Sequence, residues 1–221
     1  MKVSAHVRSP FREKFGIPRQ SGLTELRSEI VFEPEYRVPE AFRGLDGYSH
    51  IWILWCFSEA SAEKWSPTVR PPRLGGNTRM GVFATRSPYR PNPIGLSSVR
   101  LEKIDLYTPD GPVLLVSGAD IMDGTPVYDI KPYLAYTDSH PEASDGFALS
   151  QKEGVLCVDF PEIYLMKIPE ELRSGLIEIL SQDPRPQYQH SPDRVYAMAF
   201  ADFQVHFTVD GRVLTVCGIE Q

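Results

Sequence analysis

Cysteine and closely spaced histidine are scarce in this chain of 221 residues. The three cysteines, Cys56, Cys157 and Cys217, lie far apart and form no C-x-x-C pair. The five histidines show no ligand spacing either. Disulfide frameworks and zinc sites need paired or clustered ligands, so neither is predicted, and we expect no metal.

Long apolar runs are also missing. The longest run, residues 51–57, is far shorter than the roughly 20 residues of a membrane-spanning helix. The first ten residues have no apolar stretch typical of a secretion signal. We therefore expect a cytoplasmic protein.

The glycine motifs of common nucleotide-binding proteins are absent. Neither G-x-x-x-x-G-K-[ST] nor G-x-G-x-x-G occurs, which argues against a P-loop nucleoside triphosphatase and a Rossmann dinucleotide enzyme. No G-x-S-x-G elbow is found, although a nucleophile built from distant residues stays possible.

Positive charge is concentrated in two segments, although the net charge is −6. Residues 1–20 contain five Lys or Arg and one Glu, and residues 64–103 contain eight Lys or Arg and one Glu. Such clustering predicts a basic face for an anionic partner. The alternative is that these arginines are scattered over the surface.

A proline-rich loop follows residues 80–85, which we expect to form a short buried strand. Pro88, Pro91 and Pro93 each fix φ and remove a backbone donor. The loop should hold four polar side chains in nearly fixed directions: Arg86, Tyr89, Arg90 and Asn92. A rigid loop with two arginines and an amide favours function over a plain crossover.

The hydrophobic pattern predicts a mostly β protein: a single β-barrel-like domain over residues 1–150 and a small C-terminal α+β appendage over residues 160–221. We expect further strands at 2–8, 28–33, 48–57, 94–107 and 113–119, an irregular loop at 120–132, an extended stretch at 133–137 and a polar linker at 140–154. In the appendage, helical spacing predicts a helix over 169–180, and Asp210-Gly211 predicts a hairpin between strands 195–209 and 212–219.

Several blocks together resemble the TrmO (TsaA-like, YaeB) tRNA methyltransferases over nearly the whole chain. They are Pro18-Arg19-Gln20, Arg73-Leu-Gly-Gly-Asn77, Gly81-Val-Phe-Ala-Thr-Arg86-Ser87, Arg90-Pro-Asn-Pro-Ile-Gly95, Asp123-Gly-Thr-Pro126 and Asp129-Ile-Lys-Pro-Tyr133. In the appendage, Asp183-Pro-Arg-Pro186 and Phe200-Ala-Asp-Phe203 look like the extra domain of bacterial members.

The resemblance implies a homodimeric barrel that uses S-adenosyl-L-methionine without a Rossmann sheet. It implies N6-methylation of N6-threonylcarbamoyladenosine, just 3′ of the anticodon in certain threonine-accepting tRNAs. The residues carried over as cofactor contacts are Pro18, Arg19, Gln20, Ser58, Glu59, Arg86, Leu96, Ser117, Gly118, Ala119 and Asp120.

Chemical roles can be assigned to some of these residues. Arg19 and Arg86 suit the methionyl carboxylate, and Asp120 suits the ribose or the adenine amino group. Tyr89 or Tyr128 could face the sulfonium. Asp123 or Tyr128 could accept or orient the acceptor proton, and a purely structural Asp123 is the alternative. Expected tRNA contacts are Arg90, Asn92, Arg185 and Tyr188.

Two other functions stay open on sequence grounds. One is a non-catalytic RNA-binding module, and the other is a barrel enzyme that methylates a small molecule. The appendage is expected to dock tRNA, so that a chain ending near Glu153 would still bind cofactor. The competing possibility is that its helix only covers the edge of the barrel.

Overall fold

The computed structural model describes residues 1–60, 65–71, 74, 78–147, 155–185, 191 and 193–221. The strands are β1 (Ala5–Arg8), β2 (Arg27–Phe32), β3 (His50–Cys56), β4 (Thr68–Val69), β5 (Met80–Gly81), β6 (Ile94–Thr108), β7 (Gly111–Ser117), β8 (Pro126–Pro132), β9 (Cys157–Asp159), β10 (Tyr196–Phe200), β11 (Phe203–Asp210) and β12 (Val213–Glu220). The helices are α1 (Ala135–Asp138), α2 (Glu162–Leu165) and α3 (Glu170–Ser181).

Six antiparallel strands close into a barrel in the order β1-β2-β7-β6-β3-β8. Alternate residues of β3 point inward, and Ile51, Ile53 and Trp55 are buried. They pack with apolar residues of the other barrel strands around one core. The mostly β fold class predicted from the sequence is confirmed.

The C-terminal part has its own sheet, in the order β10-β11-β12-β9, with β9 parallel to β12. Helix α3 buries Leu176, Ile179 and Leu180 in the same apolar cluster as the inward side chains of this sheet. Pro169 precedes the helix, and Glu170 and Glu171 lie in its first turn, where their charge is favourable. This is the α+β appendage expected from the sequence.

Residues 9–26 join the two parts. Phe11 and Leu26 are buried in the C-terminal cluster, and Phe15 and Ile17 pack against it, although all four precede most of the barrel in sequence. Gly175 of α3 lies directly against the Leu26 side chain. The appendage therefore covers a barrel loop, which favours the second of the two roles considered for it.

Four local predictions were wrong. Residues 80–85 contain only the two-residue strand β5, which is followed by a 3-10 turn at Val82–Ala84. Val82 is the one buried residue of this turn, whereas a buried strand would bury alternate residues. The second half of the expected loop 120–132 is β8, and the expected extended stretch at 133–137 includes α1. The expected strand 195–209 is a hairpin, since Ala201 adopts a positive φ of 50° between β10 and β11.

The expected linker 140–154 lies outside the described residues from 148 onward. Among the residues that are described, no helix is long and apolar enough to cross a membrane. Within the same ranges, no group of three or more His, Cys, Asp or Glu side chains could hold a metal ion.

Candidate active site

A cleft of about 1930 Å³ opens where the barrel loops meet the C-terminal part. Its walls come from residues within five segments, 14–20, 66–71, 79–89, 144–147 and 179–185. Among the described residues that line it, six are basic and two, Asp145 and Asp183, are acidic; the basic ones are Lys14, Arg19, Arg70, Arg79, Arg86 and Arg185. The two basic segments of the sequence therefore meet at one cleft.

The wall formed by residues 14–20 is anchored by hydrogen bonds from the C-terminal sheet to the preceding residues. The backbone N–H of Ala201 donates to the carbonyl of Pro10 at 2.7 Å, and that of Ala199 donates to the Glu13 carboxylate at 2.9 Å. Gly16, at φ 90°, leaves no room for a Cβ beside the Met198 side chain. These contacts fix the segment that leads into Pro18 to Gln20, which line the cleft.

A cluster of three polar side chains joins two residues that line the cleft, Gln20 and Arg86, to Asp120 behind them. The Arg86 guanidinium donates through Nη1 to Oε1 of Gln20, and its charge acts on Asp120. Burial raises the pKa of Asp120 above the usual carboxyl range. A hydrogen bond from Ser97, the Arg86 charge and the Ser21 backbone N–H oppose this rise. A half-buried carboxylate thus faces an exposed guanidinium.

Ser97 links this cluster to the barrel core. Its side chain is 1% exposed, its hydroxyl donates to Oδ1 of Asp120 at 2.5 Å, and it accepts from Nε1 of Trp55 at 2.9 Å. Trp55 points into the barrel from β3, so the position of the Asp120 carboxylate is set by core packing. A serine in this place was not singled out from the sequence.

Gly95 allows the Trp55 ring to lie flat against the backbone of β6. A Cβ at this position would overlap three atoms of that ring. We expect Gly95→Ala to lower the free energy of unfolding by about 1–3 kcal/mol through overpacking, and to disturb the Trp55–Ser97–Asp120 chain. Urea unfolding measures the loss. Gly47→Ala, whose Cβ meets no atom within 4 Å, should change stability by much less, and equal losses would contradict the explanation.

The segment 117–120 contributes its backbone more than its side chains. The Gly22 N–H donates to the Gly118 carbonyl at 2.8 Å, and the Gly118 N–H donates to Leu26 at 3.1 Å, with φ of Gly118 at 82°. The Ser117 hydroxyl donates instead to Glu102 at 2.7 Å, and the Ala119 side chain is in the barrel core. These bonds place Asp120 beside the loop that carries Gln20.

Three other expected cofactor contacts lie further from the cluster. The Glu59 carbonyl accepts from Lys14 Nζ at 2.8 Å, which brings the exposed pair Ser58 and Glu59 to the edge of the cleft. Leu96 is exposed on the outer face of the barrel, where it is paired with Leu54 of β3. The structure therefore brings together Gln20, Arg86 and Asp120 most directly.

The expected catalytic residues have other partners. Asp123 accepts from the Ser9 backbone N–H at 3.0 Å and from Arg12 at 2.6 Å, and it lines a separate cavity of about 500 Å³. Tyr128 lies on the outer face beside Cys56, and this hydrogen-bonded neighbour together with burial raises the pKa of its phenol. The contacts of Asp123 are those of a loop cap and favour its structural alternative.

The residues expected to contact tRNA differ in solvent exposure and in the partners they already have. Arg90 donates to the Thr85 carbonyl at 3.1 Å, and Asn92 is exposed. Arg185 is only 9% exposed and forms a two-bond pair with Asp183, at 2.8 and 2.9 Å. Tyr188 lies outside the described residues. Asn92 is thus the most accessible of the described three.

Comparison with known proteins gives the family. The model of the tRNA-methyltransferase O N-terminal domain matches residues 6–139, and that of the TrmO C-terminal domain matches residues 161–221. A tRNA (adenine(37)-N6)-methyltransferase of Escherichia coli is 42% identical over 97% of this chain and 94% of its own length. A probable S-adenosyl-L-methionine-binding protein of Methanothermobacter thermautotrophicus is 40% identical over 60% of this chain and 88% of its own.

Comparison with solved structures indicates the same family. A crystal structure of TrmO superposes with a TM-score of 0.79 at 33% identity, covering 100% of this chain and 99% of the other. Both domain models, the full-length relative and this structural match cover the barrel and the appendage alike. The chain therefore belongs to the TrmO family.

Proposed function

We propose that this protein is an S-adenosyl-L-methionine-dependent tRNA methyltransferase that adds a methyl group to N6 of N6-threonylcarbamoyladenosine beside the anticodon. The observation that carries the proposal is the Gln20–Arg86–Asp120 cluster, two members of which line a basic cleft. Membership of the TrmO family and the activity for which the Escherichia coli relative is named support the reaction class.

The side chains of the cluster fit the cofactor chemically. The Arg86 guanidinium and the Gln20 amide provide donors for a carboxylate, and the Asp120 carboxylate accepts from hydroxyl or amino groups. Arg19 lies on the same wall, where its Nη2 donates to the Asp183 carbonyl at 3.1 Å. The bound cofactor supplies an electrophilic methyl group, and the residues hold and orient the reacting partners.

The acceptor substrate also fits the charge of the cleft. The threonylcarbamoyl group ends in a carboxylate, and RNA adds phosphates, whereas basic side chains outnumber acidic ones three to one among the described lining residues. Arg90 and Asn92 lie on the rigid loop beside this cleft and are our proposed contacts to the modified nucleotide. This assignment distinguishes the tRNA reaction from methylation of a neutral small molecule.

Proton removal from the acceptor nitrogen needs a nearby base or a route to water. Asp123 is bonded to Arg12 and Ser9, so we assign it the structural role. The raised pKa of Tyr128 keeps its phenol protonated at neutral pH, so it can orient an acceptor by donating a hydrogen bond but does not begin as a base. We further propose a homodimer working in the cytoplasm, where its tRNA substrate is found.

The hydrogen bond from Ser97 should tune the pH dependence of cofactor binding. Burial raises the pKa of Asp120 and the Ser97 bond lowers it, so Ser97→Ala should raise it further. Because only the ionised carboxylate accepts from a ligand hydroxyl on both oxygens, affinity is lost as pH falls through that pKa. The acidic limb of the affinity profile should therefore move to higher pH in the variant, as measured by titration calorimetry between pH 4 and 8.

The pH midpoint of cofactor affinity distinguishes a change in the pKa of Asp120 from a general loss of stability. Ser97→Ala also leaves the buried Trp55 N–H without its acceptor, which costs about 1–3 kcal/mol of stability. A stability loss alone would lower affinity at every pH and leave the midpoint unchanged, which would contradict the tuning role. Ser98→Ala, on the opposite face of β6, is the matched control and should leave the profile unchanged.

The basic cleft predicts a steep salt dependence of tRNA binding. If several of the lining arginines contact phosphates, log Kd should rise with log[salt] with a slope of roughly 0.7–0.9 per phosphate contact. Fluorescence anisotropy of labelled tRNA in a salt series gives this slope. A flat dependence would show that the basic residues do not meet the RNA backbone.

The proposal is tested by calorimetric titration of the purified protein with S-adenosyl-L-methionine in chelator, with and without tRNA. We expect saturable binding in both cases. No heat and no thermal shift up to millimolar cofactor would contradict a methyltransferase. Binding of tRNA without any binding of cofactor would indicate an RNA-binding module instead.

A further inference from the structure

Two aromatic side chains that line the cleft are largely exposed to solvent. Phe83 is 74% exposed and Tyr89 is 52% exposed, and both line the cleft together with Arg70, Arg79 and Arg86. Leaving an aromatic ring in water forgoes the free energy of burying it, so a fixed, exposed phenylalanine at a basic cleft suggests a partner with flat apolar faces.

The backbone forces Phe83 outward. Val82, in the same 3-10 turn, is 1% exposed, and its N–H donates to the Pro67 carbonyl at 3.0 Å. Successive residues of a 3-10 helix are about 120° apart, so a buried Val82 turns the next side chain away from the protein. The exposure of Phe83 is thus built into the turn.

One residue ties the two rings into the same rigid loop. The Thr85 N–H and hydroxyl both donate to the Val82 carbonyl, at 3.2 and 2.8 Å, and the Thr85 hydroxyl accepts from the Ser87 N–H at 3.3 Å. The Thr85 carbonyl accepts from Arg90 at 3.1 Å. Pro88 then fixes the backbone before Tyr89. A preorganised platform of this kind loses little entropy when it binds.

We propose that Phe83, together with Tyr89 of the same loop, is a stacking platform for unpaired bases of the RNA, and that it directs the protein to an RNA loop rather than to a duplex. The inference rests on the proposed function, since it assigns a specificity role at the same cleft. Unpaired bases present faces to aromatic rings, whereas the bases of a duplex are stacked on each other. The surrounding arginines meet phosphates of either form.

The test compares two RNA probes of equal length, a stem-loop and a blunt duplex, by fluorescence anisotropy. Phe83→Ala should weaken binding of the stem-loop about 10-fold or more and leave binding of the duplex unchanged, because only the loop offers free base faces. Phe83→Tyr keeps a ring and should retain most of the affinity. Arg70→Ala should weaken both probes alike.

A control variant outside the cleft checks for general surface effects. Tyr107 is 85% exposed and lies 13 residues beyond Ile94 on β6, roughly 40 Å along the strand. Tyr107→Ala should bind both probes like the wild type. Cofactor affinity, measured in parallel, should be the same in Phe83→Ala and wild type.

Three results would overturn the inference. The first is equal loss on both probes, and the second is no loss on either. The third is a change only in the monomer–dimer equilibrium, which would make Phe83 a contact between two copies of the chain. Suppose that the wild type transfers methyl to tRNA and that Phe83→Ala prefers the stem-loop over the duplex as strongly as the wild type does. The stacking inference is then wrong and the proposed function stands. If the wild type binds neither cofactor nor RNA, both fail.

Discussion

A chain ending at residue 153 is expected to lose cofactor binding and to aggregate. Phe11 and Leu26 are buried in the C-terminal cluster, and Phe15 and Ile17 pack against it. Exposing a buried apolar side chain costs about 1.5–3 kcal/mol, so the loss approaches the 5–15 kcal/mol that holds a typical domain folded. The same loop carries Pro18, Arg19 and Gln20 into the cleft.

The effect can be separated from shortening the chain. Leu176 of α3 is fully buried in this cluster, so Leu176→Asp in the full-length protein should reproduce much of the loss. Glu171→Ala, at an exposed position of the same helix, is the matched control and should cost only the helix-dipole interaction, at most about 1 kcal/mol, with no loss of cofactor binding. Thermal unfolding and cofactor titration measure both quantities. A soluble fragment 1–153 that binds cofactor normally would show that the appendage acts only in tRNA docking.

Replacement of Arg86 by Ala should weaken cofactor binding by about 1.5–3 kcal/mol, roughly 10- to 150-fold, because a charge-assisted hydrogen bond to a carboxylate is lost. Stability should change little, since the side chain is exposed. Removing its charge also leaves Asp120 with one fewer partner that favours ionisation, so the pKa of Asp120 should rise further. Calorimetry at neutral and acidic pH tests both effects.

Two companion variants sharpen the result. Arg86→Lys keeps the charge but not the planar pair of donors, so its affinity should fall between that of wild type and Arg86→Ala. Arg100→Ala removes an exposed arginine of β6 that does not line the cleft and should have no effect. A sharp fall in melting temperature with unchanged cofactor affinity would show that Arg86 is structural and that the cofactor site is elsewhere.

The barrel could be predicted in part because residues 51–57 form a short, continuous apolar run with aromatic and β-branched residues, which is typical of a buried strand. In the structure, Ile51, Ile53 and Trp55 of β3 point inward, and the short turn at Asp110-Gly111 joins β6 to β7. Strand β8 escaped prediction because Pro126 and Pro132 bound it and Asp129 lies within it, which imitates a loop. Its pairing with β1 and β3 is a tertiary effect that closes the barrel.

The missed hairpin in the appendage has a different cause. The turn between β10 and β11 uses Ala201 at φ 50°, although glycine or asparagine is the usual residue for such a conformation. Between β10 and β11 the only polar residue is Asp202, and this single residue did not divide the expected strand. The backbone bond from Ala201 to Pro10, contributed by a distant part of the chain, is what supports the turn.

The candidate site was only partly predictable because its contacts join residues that are distant in the sequence. Motif resemblance found Gln20, Arg86 and Asp120, which come from three separate loops. It could not reveal that Ser97 joins Asp120 to Trp55, because a serine in a strand carries no signal until its partners are known. Phe83 belongs to the segment 81–87 of the family resemblance, and the expected buried strand at 80–85 made it a core residue, whereas the 3-10 turn shows that it faces outward.

The central claim is that the cleft transfers a methyl group from S-adenosyl-L-methionine to N6 of threonylcarbamoyladenosine in tRNA. The most direct test incubates the purified protein with methyl-labelled cofactor and tRNA from bacteria that lack a TrmO gene, followed by mass spectrometry of the nucleosides. The account predicts one labelled methyl on N6 of the threonylcarbamoyladenosine beside the anticodon, in amounts strongly reduced by Arg86→Ala. Label on another nucleoside, or no label in tRNA at saturating cofactor, would contradict it.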